Sequence, residues 1–307
     1  MGGPTVPPVT PISPFPAHTP RVKADVPLRF EDVTQDGRLV LEALPNAIGP
    51  TVFMGILRKD PGWRALFRNG IVPVLTRFLL EGTPGPFSAE GRVEAEGTCR
   101  IARSDDGRYV LDVWVDLWAP IGRTYGRTPR QGERALAGRV AAEQVFTRPF
   151  AAPGERRVTS LDFEGAPEVG ETRPALPAAE SIAALPPGAK PVDPAPRVDP
   201  TTTVFGLLHT DSNMHVNSLV YLRLFEEAAL RRFAELGRGA LWLGRATDMA
   251  YRKPCFAGQP MRVVQQAFEL DGRLGVAATL VEEKDTVSDE ALARARPHTF
   301  AQMLFDA

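Results

Sequence analysis

The sequence predicts an α+β protein of two domains, each an antiparallel sheet curved over a helix, and three observations carry that reading. The second half contains one long amphipathic helix whose apolar stripe needs a sheet to cover it. Both halves run in the same order, strand-like residues, then helix, then several longer strands, although no residue-level repeat is visible. Proline crowds the first 26 residues and again residues 159–200, which sets the two halves apart. A chain of 307 residues also suits two domains of ordinary size better than one.

Residues 1–26 carry many prolines and few large apolar groups, so they read as a flexible arm that cannot offset its ordering entropy. Residues 27–150 are expected to form the first domain. Within it, residues 28–44 look like a hairpin turning at Gln35-Asp36-Gly37. In residues 60–80, Trp63, Leu66, Phe67, Val74, Leu75, Phe78 and Leu79 recur at helical spacing, with interruptions at Gly70 and Pro73 and a stop at Gly82. Strands are expected at 91–101, 109–118 and 135–146, the first two joined by Asp105-Asp106-Gly107. Residues 151–200 read as a proline-rich connector, extended rather than packed, because proline lacks the amide donor that helix and sheet need.

The second domain, 201–307, opens with a β-branched run at 201–208. Leu219, Leu222, Phe225, Ala229, Phe233 and Leu236 then recur at helical spacing, with Arg223, Glu226, Glu227, Arg231 and Arg232 on the other face and Gly237 as the stop. Strands follow at 246–252, 261–270, 274–282 and 299–305, with Asp271-Gly272 as a hairpin turn.

A hydrophobic fraction of 43% with 24% charged residues is that of a soluble globular protein, and a net charge of −1 without basic clusters argues against a nucleic-acid partner. No stretch approaches membrane-spanning length and no cationic-then-apolar segment opens the chain, so a cytoplasmic location is expected. Cys99 and Cys255 are too far apart in sequence for a metal-type pair and are expected to be free thiols. His18, His209, His215 and His298 are the four histidines; none falls between 18 and 209, so the first domain has none for a catalytic loop. Trp63, Phe67, Phe78, Trp114 and Trp118 are expected there as core or as a cavity wall.

Chemistry concentrates just before the long helix. Asp211, Asn213 and His215 place a carboxylate, a carboxamide and an imidazole at alternate positions of one short loop. Thioester hydrolysis needs a group that delivers water to the carbonyl and donors for the oxyanion that develops. Asp211 or His215 can do the first, and Asn213 with the backbone amides of the helix start can do the second.

The segment from Asp211 to Tyr221, DSNMHVNSLVY, resembles the D-x-x-G-H-V-N-N-x-x-Y signature of hotdog-fold acyl thioesterases, and the residues from Leu222 to Ala228 extend the likeness along the helix. It is most similar to the D-x-N-x-H-V-N-N loop of plant-type acyl-ACP thioesterases, double-hotdog proteins whose active loop lies in the second hotdog, within the wider 4-hydroxybenzoyl-CoA thioesterase-like superfamily. Tyr251-Arg252-Lys253-Pro254-Cys255 resembles their Y-R-R-E-C segment. The motifs cover the last third of the chain; the first domain is matched by architecture alone. Ser218 replaces the second asparagine, Met214 a small or polar residue, Ala229 an arginine of single-hotdog relatives, and Pro254 a glutamate implicated in catalysis.

The resemblance implies a tandem hotdog that hydrolyses an acyl-CoA or acyl-ACP thioester without metal or cofactor, with catalytic Asp211, Asn213 and His215. Asn217, Tyr221, Arg252, Lys253 and Cys255 are expected on the substrate side, and a homodimer is compatible with it. Four of these have a plainer alternative: Asn217 as a helix cap, Arg252 and Lys253 as solvated strand-edge charges, Cys255 as a buried structural thiol rather than a nucleophile. His209 and His298 lack partners at informative spacing and are expected to be structural or exposed. Competing functions are a double-hotdog enoyl-thioester hydratase, whose loop places the histidine one residue later, and a hotdog that binds acyl groups without catalysis.

Overall fold

The computed structural model describes residues 15–239 and 241–307, which fall into two compact units, 15–176 and 177–307. In the first unit β1 (Arg21–Pro27), β2 (Val72–Gly82), β3 (Arg92–Ser104), β4 (Tyr109–Pro120) and β5 (Arg134–Thr147) form an antiparallel sheet in the order β1-β3-β4-β5-β2. The two-residue β6 (Thr172–Arg173) adds to β3 in parallel.

Three expectations for this unit are corrected. The start of the chain is not a free arm throughout: β1 pairs with β3 from Arg21↔Thr98 to Pro27↔Arg92, while residues 1–14 lie outside the described residues. A cross-strand charge ladder accompanies the pairing, Arg21 and Lys23 facing Glu96 and Lys23 facing Glu94, which hydrophobic counting does not register. In the expected hairpin only the turn and a single bridge, Val33↔Leu39, survive, and residues 41–59 instead make short helical turns. The helix expected over 60–80 stops early: α1 is Pro61–Arg68, Gly70 adopts φ 67°, and the β-branched Val72, Val74 and Thr76 continue as β2.

The helical layer of this unit is therefore broken into pieces, as Pro45 and Pro50 dictate. It still packs closely on the sheet through two glycines. A Cβ on Gly97 would lie 2.4 Å from Thr51 Oγ1, and one on Gly138 would lie 2.6 Å from Leu44 Cδ2.

The second unit is more regular. β10 (Leu243–Tyr251), β11 (Pro260–Leu270), β12 (Arg273–Glu282) and β13 (Thr299–Asp306) are ordered β10-β13-β12-β11, all antiparallel. Along β11 run the short β7 (Lys190–Pro191), β8 (Arg197–Val198) and β9 (Thr203–Val204), so the expected strand at 201–208 shrinks to two residues. The turn at Asp271-Gly272 has φ of 50° and 77°, the left-handed pair that a tight hairpin needs. Helix α2 (Ser218–Glu235) buries Tyr221, Leu222, Leu224, Phe225, Ala228, Ala229 and Phe233. Phe233 meets Phe305 of β13 edge-on at 5.1 Å, and Gln265 of β11 donates to the Ala228 carbonyl at 2.8 Å. The short α3 (Asp289–Arg294) lies between β12 and β13.

The proline-rich stretch 151–200 is extended but not unpacked. Arg173, in the first unit, is buried against Asp112 and Glu143. In the second unit Asp193 and Asp199 are buried and pair with Arg232 and Arg231 of α2. Proline forbids sheet amides, yet it leaves carboxylates and guanidinium groups free to pin an extended chain.

Candidate active site

The loop between Thr210 and Val216 is closed by a bridge between those two residues. Within it the Asp211 N–H donates to the His215 carbonyl at 3.1 Å and the Met214 N–H to the Asp211 carbonyl at 3.0 Å. Asp211 Oδ1 accepts from the Asn213 N–H at 2.8 Å, so one carboxylate oxygen shapes the turn and the other stays available. Met214, at the tip, is 80% exposed and held at φ 65°, a left-handed conformation that costs a non-glycine residue roughly 1–2 kcal/mol.

Asp211 and His215 are thus brought opposite each other, both half-buried, with Asn213 exposed between them. Among the described residues no hydrogen bond or ion pair joins the three side chains to one another. His215 Nδ1 lies 3.3 Å from the Val216 carbonyl. A carbonyl only accepts, so that contact favours the Nδ1–H tautomer and leaves the Nε2 lone pair as a base.

The loop hangs on the rest of the unit by two amides. The Asn217 N–H donates to the His209 carbonyl at 2.9 Å and the Val216 N–H to the Cys255 carbonyl at 2.8 Å. Asn217 is the N-cap of α2, its Oδ1 accepting from the Leu219 N–H at 2.9 Å, an interaction of roughly 1 kcal/mol. The Val220 N–H is taken by the Asn217 carbonyl. The Ser218 N–H, the first of the helix, has no backbone acceptor outside the helix among the described residues.

Tyr221 and Cys255 are both buried and lie beside the loop. The Cys255 N–H donates to Tyr221 Oη at 2.9 Å, and Tyr251 Oη donates to the Ser218 carbonyl at 3.2 Å. A base does stand beside the Cys255 thiol, since Sγ lies 3.3 Å from His298 Nδ1. That nitrogen also lies 3.1 Å from the Pro254 carbonyl, which only accepts, so the contact favours the Nδ1–H tautomer, in which Nδ1 is no base for the thiol. Burial pushes the Cys255 thiol up to about 11, and it stays protonated near neutral pH. Arg252 and Lys253 are exposed; Arg252 lies 3.6 Å from Glu180, and Lys253 Nζ donates to the Arg296 carbonyl at 3.4 Å. Among the described residues no three His, Cys, Asp or Glu side chains are grouped to hold a metal, and no helix is long and apolar enough to cross a membrane.

No protein-family model and no curated protein matches the sequence. Solved structures do match the fold. A Lactobacillus plantarum protein assigned as an oleoyl thioesterase superposes with a TM-score of 0.62 at 13% identity, over 95% of this chain and 96% of its own. The 12:0-ACP thioesterase of Umbellularia californica gives 0.58 at 13% identity, over 95% and 99%. An acyl-ACP thioesterase of Bacteroides thetaiotaomicron gives 0.53 at 15% identity, over 93% and 98%. The chain has a double-hotdog fold.

In this double hotdog the second unit keeps an unbroken central helix and the first does not. His209 and His298 both prove structural. His209 Nδ1 accepts from the Gly206 N–H at 2.9 Å, and its ring meets Phe205 edge-on. His298 meets Cys255 across 43 positions of sequence, and Glu282 joins it with Oε1 3.7 Å from Nε2; no local spacing signals either contact. Burial holds the His298 imidazole below its ordinary range. The unfolded chain therefore takes up that proton first, and unfolding free energy is expected to fall as pH drops from the ordinary imidazole value through the lowered one. Denaturant titrations between about pH 5 and 7.5 check it, and His298→Asn is expected to remove this component.

Proposed function

We propose that the chain hydrolyses acyl thioesters at the loop carrying Asp211, Asn213 and His215. The observation that carries the reading is their placement: a carboxylate, a carboxamide and an imidazole on one tight turn at the N-terminus of the central helix, uncommitted to one another. His215 Nε2 takes a proton from water, whose oxygen adds to the thioester carbonyl carbon. The Asn213 carboxamide and the Ser218 N–H, at the positive end of the helix, receive the developing oxyanion. The tetrahedral adduct collapses with cleavage of the C–S bond, the proton passes to the thiolate, and acid and thiol leave. Asp211 steadies the imidazolium between these steps.

Acyl-CoA and acyl-ACP are the substrate classes in this reading, which assigns the exposed Arg252 and Lys253 to a carrier phosphate. The likeness to three structures described as thioesterases supports the reaction class. The test is thiol release from acyl-CoA and acyl-ACP panels of increasing chain length, with crotonyl-CoA hydration run alongside. Thiol release with at least one acyl thioester is expected. Hydration without thiol release would replace the reading with an enoyl hydratase, and silence in both would leave an acyl-binding protein.

A further inference from the structure

The loop is only as well placed as the turn it hangs from. Its second anchor, the Cys255 carbonyl, belongs to the segment Arg252-Lys253-Pro254-Cys255, which leaves β10 and has no ladder partners of its own. Pro254 has no N–H, so its carbonyl is the one backbone group by which that residue can be held. His298 holds this segment at three points. Its carbonyl accepts from the Arg252 N–H at 2.8 Å and from the Lys253 N–H at 3.1 Å, and its ring Nδ1 reaches the Pro254 carbonyl at 3.1 Å. His298 is in turn fixed to β12, its N–H donating to the Leu280 carbonyl at 2.8 Å. The backbone bonds are available to any residue at 298. The ring bond to Pro254 is specific to a side chain with a donor at the Nδ1 position.

We infer that His298 is a positioning residue for the catalytic loop, acting through Nδ1–H on the Pro254 carbonyl and from there through Cys255 on Val216. This rests on the proposed role of the Asp211 loop. His298 touches no substrate in this scheme. The groups around the ring are the Cys255 thiol and Lys253 from the turn and Glu282 from the end of β12, with Lys284 held to Glu282 at 2.8 Å. Glu282 faces the opposite nitrogen, so removing its charge is not equivalent to removing the donor at Nδ1.

That asymmetry gives the experiment. Asparagine at 298 puts an amide donor where Nδ1 stands, glutamine puts one nearer Nε2, and leucine supplies none. In His298→Leu and His298→Gln, amide hydrogen exchange of the peptide spanning residues 211–217 is expected to quicken, and kcat for thiol release to fall by roughly tenfold to a hundredfold with KM unchanged. In His298→Asn, slow exchange and most of kcat are expected to return. Equal exchange in the Asn and Gln variants, whether as slow as the wild type or equally fast, would overturn the inference, and this comparison stands if the leucine variant fails to fold. Exchange needs no turnover: absence of thiol release in the wild type would defeat the proposed function, while the exchange comparison would still decide whether His298 holds the loop.

Discussion

Asp211→Asn and His215→Ala are each expected to lower kcat for thiol release by about 10²–10⁴-fold, the span over which a positioned acid or base contributes. Asparagine at 211 retains an oxygen that can accept from the Asn213 N–H, so the turn keeps its shape while the charge disappears. His215 is half-buried, and its ring contacts the carbonyl of the neighbouring Val216, so the alanine variant is expected to keep the fold. The two losses are expected to be far from additive, since both side chains serve one proton transfer. Circular dichroism and denaturant midpoints close to those of the wild type establish that the loss is chemical. Wild-type rates in both variants would remove the loop from the reaction.

Arg173→Met is expected to destabilise the first unit by about 3–5 kcal/mol, the usual result of removing one partner from a buried ion pair. The Arg173 guanidinium is 3% exposed and bonds Asp112 Oδ1 at 2.7 Å, Asp112 Oδ2 at 3.0 Å and Glu143 Oε2 at 2.5 Å. Without it two carboxylates stay buried on neighbouring strands β4 and β5, where Asp112 and Glu143 are direct partners in register. Arg100, 3.4 Å from Asp112, and Arg108, 4.0 Å from Glu143, offset part of that repulsion and place the effect at the lower end of the span. Adding Asp112→Asn and Glu143→Gln to Arg173→Met is expected to recover much of the loss. A denaturant midpoint for Arg173→Met equal to that of the wild type would show that the arginine is dispensable to the fold.

The second unit was largely legible in the sequence because its signals are local. The stripe from Leu222 to Phe233 recurs at the helical period, and Asp271-Gly272 can hardly be anything but a tight turn. The loop was legible for the same reason: Asp211, Asn213 and His215 are neighbours in sequence before they are neighbours in space. The first unit was harder. Residues 72–82 carry the β-branched Val72, Val74 and Thr76 and also fit a helical stripe, and Gly70 decides between the two only once the sheet offers β5 as a partner. The charges that face each other across β1 and β3 carry no periodic apolar signal at all.

By itself the sequence determined the α+β class, the central helix of the second unit, the cap at Asn217 and the three polar groups of the loop. All of these follow from interactions within a few residues, where backbone geometry fixes the distance between side chains. Tertiary structure alone decided that Cys255 lies against His298, that Arg173 is buried between two carboxylates, and that His298 reaches Pro254. Those contacts span from 30 to 61 positions of sequence. Their existence depends on how strands register and how an extended segment is pinned, which no local pattern encodes.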